Sequence, residues 1–210
     1  MIELYNWHTS NGRKLFIMLE ELGVDYKIKA VNILKDEQFT PEFLSINPNG
    51  KIPAMIDYDG PGGEAITLFE SGAMLLYLAD KYRMFIPPAE QVRDRYTTIQ
   101  WLMFQMGGVG PMFGQAHHFR RAKQKVEYGI KRYTTEARRL WTVLDDHLTN
   151  NEYMHNSYSI ADMAIFPWTA RYEWQGIELE EFEHVERWFK AISIRDAVAN
   201  AMKFDLSETS

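Results

Sequence analysis

The first eighty residues alternate between short strand-like runs and helical patterns. Strands are predicted at 2–5, 26–31, 53–58 and 65–69, and helices at 12–22, 41–44 and 70–82. In the first helix the residues Leu15, Met18, Leu19 and Leu22 form one apolar face, and Gly23 is expected to end it. The predicted order is therefore β-α-β-α-β-β-α.

No convincing strand run follows Pro87, and the remaining patterns are helical. One apolar stripe extends over several turns through Ile130, Tyr133, Ala137, Leu140, Trp141, Leu144 and Leu148. Ser159 and Asp162 have the spacing of a capping box, and 187–202 is another amphipathic stretch. We predict an α/β domain at 1–83, a proline-containing linker at 84–90, an all-helical domain at 91–206 and a polar tail at 207–210.

Composition excludes several classes of protein. The 210 residues are 46% hydrophobic, but the longest apolar run, 73–79, is far shorter than the ~20 residues of a membrane span. The first residues lack the pattern of a secretory signal, so we expect a cytoplasmic protein without membrane contact. The net charge of −6 argues against general nucleic-acid binding.

The chain contains no cysteine. This excludes disulfides, thiolate metal sites and a cysteine nucleophile in the protein itself. Any thiol chemistry must therefore use a thiol that a ligand brings.

Three short segments are predicted at junctions between strands and helices, where α/β proteins commonly bind ligands. They are Thr9–Asn11, Lys51–Pro53 and Glu70–Ser71. Each also has a purely structural interpretation, because they contain a residue suited to cap a helix, a proline suited to begin an edge strand and an acid suited to a first helical turn. Their combined order along the chain indicates a ligand site more specifically than any one segment does.

Three longer motifs resemble the glutathione transferase superfamily. IPAMID at 52–57 is similar to its strand that begins with a cis-proline, and LFESGAMLLYLADKY at 68–82 to its Glu-Ser turn and third helix. SIADMAIFPW at 159–168 is similar to its capping box and hydrophobic staple. The resemblance implies a thioredoxin-like N-terminal domain, an all-helical C-terminal domain and a homodimer.

Further motifs narrow the resemblance to the Nu-class bacterial enzymes and the fungal Ure2-like proteins. These motifs are YNWHTSNGRK, NPNGKIPA, QWLMFQMGGVGPMFGQAHHF and IKRYTTEARRLW. The resemblance to the Nu-class enzymes implies reduction of small disulfides with glutathione or glutathione disulfide as co-substrate. It implies no metal.

The resemblance also implies how glutathione is bound. Ser71 is expected to hold the γ-glutamyl carboxylate and Glu70 the ligand's amine, while Ile52, before Pro53, offers its backbone to the cysteinyl unit. Gln38, Lys51 and, from the helical domain, Arg132 are expected at the carboxylates. Residues 120–139 hold eight basic and two acidic residues, which also fits a solvated helix face or, less well, nucleic acid.

Thiol activation is assigned to the loop before the first helix. A free thiol has a pKa of about 8.5, and lowering it by two units takes about 2.7 kcal/mol. Thr9 and Asn11 are the favoured donors. The Nu-class loop reads Thr-Pro-Asn after a proline, whereas this chain has His8, Thr9, Ser10 and Asn11, so Ser10 is a third candidate. Tyr5 is interpreted as a core aromatic.

The acceptor substrate is expected beside the glycine run at 107–111, where we predict a kink or break between two helices. The residues expected to line or border its cleft are His8, Gln105, Met112, Gln115 and His117. His117 and His118 are adjacent, so they point about 100° apart on a helix and do not make a metal site.

Two functions remain open. The first is a glutathione-dependent disulfide reductase that also conjugates electrophiles or reduces peroxides weakly. The second is a glutathione-binding interaction protein of the Ure2-like type. The presence of Thr9, Asn11, Glu70, Ser71 and Arg132 favours the enzyme.

Overall fold

The computed structural model describes residues 1–206 and divides the chain into two compact units. The first comprises 1–84 together with 196–206, and the second comprises 85–195. The polar tail predicted at 207–210 lies outside the described residues. The predicted domain limits and linker stay predictions, and the structure differs from them in grouping 196–206 with the first unit.

The first unit is built on a four-stranded mixed sheet. Its strands are β1 (Ile2–Asn6), β2 (Tyr26–Ala30), β3 (Ala54–Asp57) and β4 (Ile66–Phe69), in the spatial order β2-β1-β3-β4. β1 and β2 are parallel, whereas β3 is antiparallel to both β1 and β4. With the helices α1 (Ser10–Leu22), α2 (Pro41–Ile46) and α3 (Ser71–Tyr82), this confirms the predicted order and the thioredoxin-like fold.

Capping interactions set both ends of helix α1. Thr9 is the N-cap, and its hydroxyl oxygen accepts a hydrogen bond from the Gly12 N–H at 3.1 Å. Gly23 ends the helix with a φ of 63°, a left-handed conformation that costs glycine little, and its N–H bonds the carbonyl of Leu19. The helix starts two residues earlier than the apolar pattern indicated, because polar residues fill its first turn.

The middle of α1 is buried on all sides in the core of the first unit. Leu15, Phe16, Ile17, Met18 and Leu19 are fully buried, and each such side chain contributes about 1.5–3 kcal/mol. The C-terminal helix of the unit, α10 (Asp196–Lys203), packs against α1.

Two contacts join α1 to the C-terminal segment. The ring of Phe16 stacks on that of Phe204 with centroids 4.6 Å apart, and Arg13 donates to the carbonyls of Ala201 and Met202. The amphipathic stretch predicted over 187–202 is therefore divided between two helices. The chain turns at Ile194 and Arg195, which separate α9 (Glu183–Ser193) of the second unit from α10.

Within its described residues, 85–195, the second unit contains helices and connecting loops but no strand. Besides α9 it contains α4 (Val92–Phe104), α5 (Gly110–Arg121), α6 (Glu127–Leu148), α7 (Ile160–Thr169) and α8 (Tyr172–Gln175). The glycine run does not break the chain's helical course, because Gln105–Val109 form a π-helical turn that connects α4 directly to α5. Within 1–206, no helix has the length and apolarity that a bilayer crossing requires.

Asp162 is a buried carboxylate that fixes the start of α7. It has no solvent exposure, and its two oxygens accept hydrogen bonds from the N–H groups of Met154 and Ser159, the Ser159 hydroxyl and the indole of Trp188, at 2.8–3.0 Å. The predicted capping box is confirmed. Burial raises the pKa of Asp162 to about 6, although these donors favour the ionised form.

We predict that Asp162→Asn destabilises the protein by about 2–4 kcal/mol, because an amide NH₂ would face N–H and O–H donors. The Tm measured by circular dichroism should fall by several degrees. The exposed Asp146→Asn, on α6, serves as the control and should leave the Tm unchanged.

The same variant tests the titration of Asp162. The native carboxyl keeps its proton to higher pH than the unfolded chain does, so its contribution to stability falls as pH rises from about 4 to 6. This decline should be missing from Asp162→Asn. A Tm equal to that of the unmodified protein across this range would show that Asp162 does not fix α7.

Candidate functional site

The predicted binding segments leave the sheet at one edge. In the sheet register Tyr5 lies opposite Ala54, and Ala54 lies opposite Phe69. The end of β1, the start of β3 and the end of β4 therefore form one row. β2 is parallel to β1 and ends beside it, with Asn6 opposite Ala30. Four loops therefore begin or end at this row. Three of them follow β1, β2 and β4, and the fourth precedes β3.

The buried side chain of Asn6 holds the first turn of α1 against the end of β1. Its amide nitrogen donates to the Gly12 carbonyl at 3.0 Å, and its amide oxygen accepts from the Trp7 N–H at 2.9 Å. A Cβ atom added at Gly12 would collide with the Trp7 carbonyl and the Asn6 amide. Glycine is therefore required here for close approach.

The first turn of α1 presents polar groups at the edge of the sheet. Thr9 and Asn11 are half-buried, whereas Ser10 is only 3% exposed. Because the Thr9 oxygen already accepts from Gly12, its own hydrogen is directed to another acceptor. The nearly complete burial of Ser10 favours Thr9 and Asn11 as the groups that meet a ligand.

The segment before β3 is shaped by a cis peptide bond and a buried asparagine. The Ile52–Pro53 bond is cis, as the resemblance to glutathione transferases implied. The Asn47 amide nitrogen donates to the Lys51 carbonyl at 2.6 Å, and its oxygen accepts from the Asn49 N–H at 2.9 Å. These bonds fix the backbone that leads into Ile52.

Gln38 lies close to the same segment. A Cβ atom on Gly50 would come within 3.0 Å of the Phe39 ring and 3.5 Å of the Gln38 carbonyl, so the turn after β2 packs against 50–51. The amide oxygen of Gln38 is shielded from solvent and has no hydrogen-bond partner within residues 1–206. This oxygen can pair only with a hydrogen-bond donor of a ligand, whereas a ligand carboxylate would need the NH₂ group of Gln38.

The start of α3 is the third part of the site. Glu70 precedes the helix with φ 70° and ψ 111°, a conformation that costs a non-glycine residue about 1–3 kcal/mol and is typical of functional sites. The Glu70 side chain is exposed, whereas Ser71 is 4% exposed. The Ser71 hydroxyl accepts a hydrogen bond from the buried ammonium group of Lys14 at 3.1 Å.

Helices α1 and α3 both begin at this edge, so their first-turn N–H groups place two partially positive helix ends there. Lys51 adds an exposed positive side chain. The arrangement is therefore suited to a small ligand with more than one anionic group. Among residues 1–206, no group of three or more His, Asp or Glu side chains is placed to hold a metal ion.

Tyr5 does not take part in the site through its hydroxyl. Its ring packs on Phe43 of α2, with centroids 6.4 Å apart, and its hydroxyl donates to the Glu3 carboxylate at 3.4 Å. Burial and the neighbouring Glu3 raise the pKa of Tyr5, which makes it a weaker proton donor. This supports its interpretation as a core aromatic.

The other predicted residues lie at separate places. His8 is half-exposed, 3.5 Å from Asp205 in the first unit. Arg132 is an exposed residue of α6 in the second unit, so its role at a glutathione carboxylate stays a prediction. Gln105 is 1% exposed within the π-helical turn, and this burial does not favour a role at an open cleft.

The remaining cleft candidates are on α5, where Met112 is half-buried and Gln115 is exposed. His117 lines an open cavity of about 470 Å³ together with His118 and Arg121. Burial and the charges of Arg171 and Arg121 lower the pKa of His117 to about 4, so its ring is neutral at physiological pH. Whether these side chains meet an acceptor substrate stays a prediction.

Sequence reasoning missed two residues of the site, Asn6 and Lys14. Both are polar and fully buried, and both hold the helix starts at the edge of the sheet through hydrogen bonds. The available signal was position: Lys14 falls next to Leu15 on the face of α1 that is otherwise apolar, and Asn6 ends a strand directly before a helix.

Comparison with known proteins decides the family. Residues 10–81 match the family model of the glutathione S-transferase N-terminal domain. Disulfide-bond oxidoreductase YfcG of Escherichia coli is 45% identical over 205 residues, covering 96% of this chain and 94% of that protein. This chain belongs to the glutathione transferase family.

Solved glutathione transferases share the fold over the same length. That of Pseudomonas putida, with one glutathione disulfide bound per subunit, is 42% identical with a TM-score of 0.90 over 97% of this chain and 91% of its own. A family member from Pseudomonas fluorescens with two glutathione molecules bound is 44% identical, with a TM-score of 0.90 over 96% and 92%. Transcriptional regulator URE2 of Saccharomyces cerevisiae is 32% identical, covering 92% of this chain and 65% of that protein.

We predict that Gly12→Ala lowers the Tm by several degrees and weakens glutathione binding. The added methyl group would push the first turn of α1 off β1, a type of overpacking that costs about 1–3 kcal/mol. Gly→Ala in an unconstrained helix has the opposite sign. Gly107→Ala is the control because no atom lies within 4 Å of its added Cβ. A Tm for Gly12→Ala at or above that of the unmodified protein would refute the close approach.

Proposed function

We propose that this glutathione transferase reduces small disulfides with glutathione. The observation that carries the proposal is the convergence of Thr9–Asn11, Ile52–Pro53 and Glu70–Ser71 at one row of the sheet, in a chain without cysteine. The 45% identity to a disulfide-bond oxidoreductase supports this reaction among those of the family.

The polar groups of the edge match the polar groups of glutathione. The N–H and hydroxyl groups of Ser71, at the start of α3, receive the γ-glutamyl carboxylate, and Glu70 pairs with the amine. The Ile52 backbone pairs with the cysteinyl unit, as an additional strand does. Gln38 and Lys51, from adjacent segments, reach the glycyl carboxylate, and Arg132 of the second unit is assigned to a glutathione carboxylate by family resemblance.

The first turn of α1 then stabilises the ligand's thiolate. The Thr9 hydroxyl and the Asn11 amide donate to the sulfur, and the helix N-terminus adds a partial positive charge. Hydrogen bonds to a charged acceptor contribute roughly 1.5–3 kcal/mol each, so two of them supply the ~2.7 kcal/mol that a pKa drop of two units requires.

The reaction is balanced without a covalent bond to the protein. The thiolate of one glutathione attacks a sulfur of the disulfide R–S–S–R, forming a mixed disulfide and releasing RS⁻, which takes up a proton. A second glutathione thiolate attacks the glutathione sulfur of the mixed disulfide and releases the second RS⁻. The products are glutathione disulfide and two thiols, so both electrons come from the two glutathiones.

The same activated thiolate can attack other acceptors. We propose weaker conjugation to electrophiles and weaker reduction of peroxides as secondary activities. Of the residues predicted to border the acceptor, the half-buried or exposed His8, Met112, Gln115 and His117 fit that role better than the buried Gln105.

We also propose a homodimer in the cytoplasm. The apolar side chains of Val92, Tyr96 and Met103 are 49–65% exposed and lie on one face of α4, within about 40° of one another. A second copy of the chain is the proposed cover for this stripe. Light scattering should give the dimer mass for the protein and the monomer mass for Tyr96→Glu. A monomer in both cases would refute the proposal.

The proposed reaction needs a compartment that keeps glutathione reduced, which supports the cytoplasmic location.

An alternative function is suggested by the 32% identity to the regulator URE2. In that case the site would bind glutathione without useful turnover, and the protein would act through a partner. The presence of Thr9 and Asn11 at the start of α1 favours the enzyme.

Turnover of 2-hydroxyethyl disulfide with glutathione tests these alternatives. We predict turnover by the protein and a loss of roughly 10–100-fold in kcat/KM at neutral pH for Asn11→Ala, because one donor to the thiolate is removed. The acidic limb of its pH–rate profile should shift to higher pH, since less thiolate forms.

The exposed Asn150→Ala, in the bend that follows α6, is the matched control and should behave as the unmodified protein. An unchanged profile for Asn11→Ala would remove that residue from thiol activation. Tight glutathione binding with no turnover by the unmodified protein would favour the interaction protein.

A further inference from the structure

Lys14 is a lysine in an unusual place. It lies in the second turn of α1 and has no solvent exposure, although lysine is rarely buried completely. Its ammonium group donates to the Ser71 hydroxyl at 3.1 Å, and so connects the second turn of α1 to the first residue of α3 at the edge of the sheet. None of the steps proposed above uses it.

The bond to Lys14 orients Ser71. A hydroxyl group has one hydrogen and two lone pairs, so a Ser71 oxygen that accepts from Lys14 directs its own hydrogen elsewhere. Under the proposed function, that hydrogen points to the γ-glutamyl carboxylate. A carboxylate one hydrogen bond beyond Ser71 lies about 5–6 Å from the Lys14 nitrogen, within the range where an opposite charge favours the charged lysine.

Within residues 1–206, charged groups can be named on both sides of Lys14. Glu70, at the start of α3, is the charged group whose field acts on it. On the side of α10, Arg13 donates hydrogen bonds to the carbonyls of Ala201 and Met202. The negative charge of Asp205 also acts on its guanidinium group. Burial lowers the pKa of Lys14 to about 7, and Glu70 opposes that shift only in part.

We propose that Lys14 is a positioning residue that couples glutathione binding to the uptake of a proton. A carboxylate bound at Ser71 adds negative charge next to the ammonium group and favours its protonated form. The proton comes from solvent and stays on the Lys14 nitrogen while the ligand is bound. This inference rests on the proposed placement of glutathione and adds a pH dependence to its binding.

The sign of the dependence follows from linkage. At pH values above 7 a fraction of the ligand-free protein has neutral Lys14, and binding must add that fraction of a proton. The affinity therefore falls as pH rises, by at most about tenfold per pH unit for one proton. Below pH 7 the lysine is already charged, so the proton uptake disappears.

The test is calorimetry of S-methylglutathione binding at pH 8, repeated in buffers with different heats of ionisation. The methylated ligand has no thiol to ionise, so thiolate formation does not contribute. The dependence of the binding heat on the buffer gives the number of protons taken up. We expect a clear fraction of one proton for the unmodified protein and for the exposed control Lys27→Met.

Two variants keep the test decisive. Lys14→Met should take up no proton at this position and should bind more weakly at pH 7. Lys14→Arg retains a donor that is charged throughout this range, so we expect binding with less proton uptake than the unmodified protein shows, the remainder coming from the ligand's own amine, and with a flatter pH dependence. If Lys14→Met does not fold, Lys14→Arg alone decides.

The possible failures are distinguishable. If the unmodified protein does not bind S-methylglutathione, the proposed function and the coupling are both wrong. If it binds without proton uptake, or if Lys14→Arg takes up the same number of protons, the coupling is wrong while the proposed function stands.

Discussion

The candidate site depends on one row of the sheet, in which Tyr5, Ala54 and Phe69 lie side by side. Because β3 runs against both of its neighbours, its first residue meets the next-to-last residue of β1 and the last residue of β4. A shift of one residue in either pairing would turn the side chains to the opposite face and separate the loops. The register therefore places the starts of α1 and α3 beside the cis-proline segment.

Buried polar side chains then fix the two helix starts on this row. Asn6 joins the end of β1 to α1, and Lys14 joins α1 to Ser71. At the other end of α3, Lys81 pairs with the buried Asp57 of β3 at 2.6 Å. Such contacts satisfy groups that would be costly to bury alone, and they hold the ligand-facing residues in place before a ligand arrives.

Much of the fold could be predicted from the sequence, because periodicity reports which face of each element is buried. The element order, the Gly23 cap and the Asp162 box are confirmed, and so is the cis-Pro53 that the family resemblance implied. The pattern did not reveal the turn at Ile194, since both flanking helices are amphipathic. It also could not distinguish a break from a π-helical turn in the glycine run, because both fit the same residues. Lys14 was missed because a lysine in a helix is ordinarily solvated.

The central claim is that the first turn of α1 ionises a thiol that the protein itself lacks. Because the chain has no cysteine, the ultraviolet absorbance of thiolate in its complex with glutathione arises from the ligand alone. Titrating that absorbance with pH measures the pKa of the bound thiol directly. The account predicts a value one to two units below the ~8.5 of a free thiol. A bound thiol that titrates like free glutathione would contradict it.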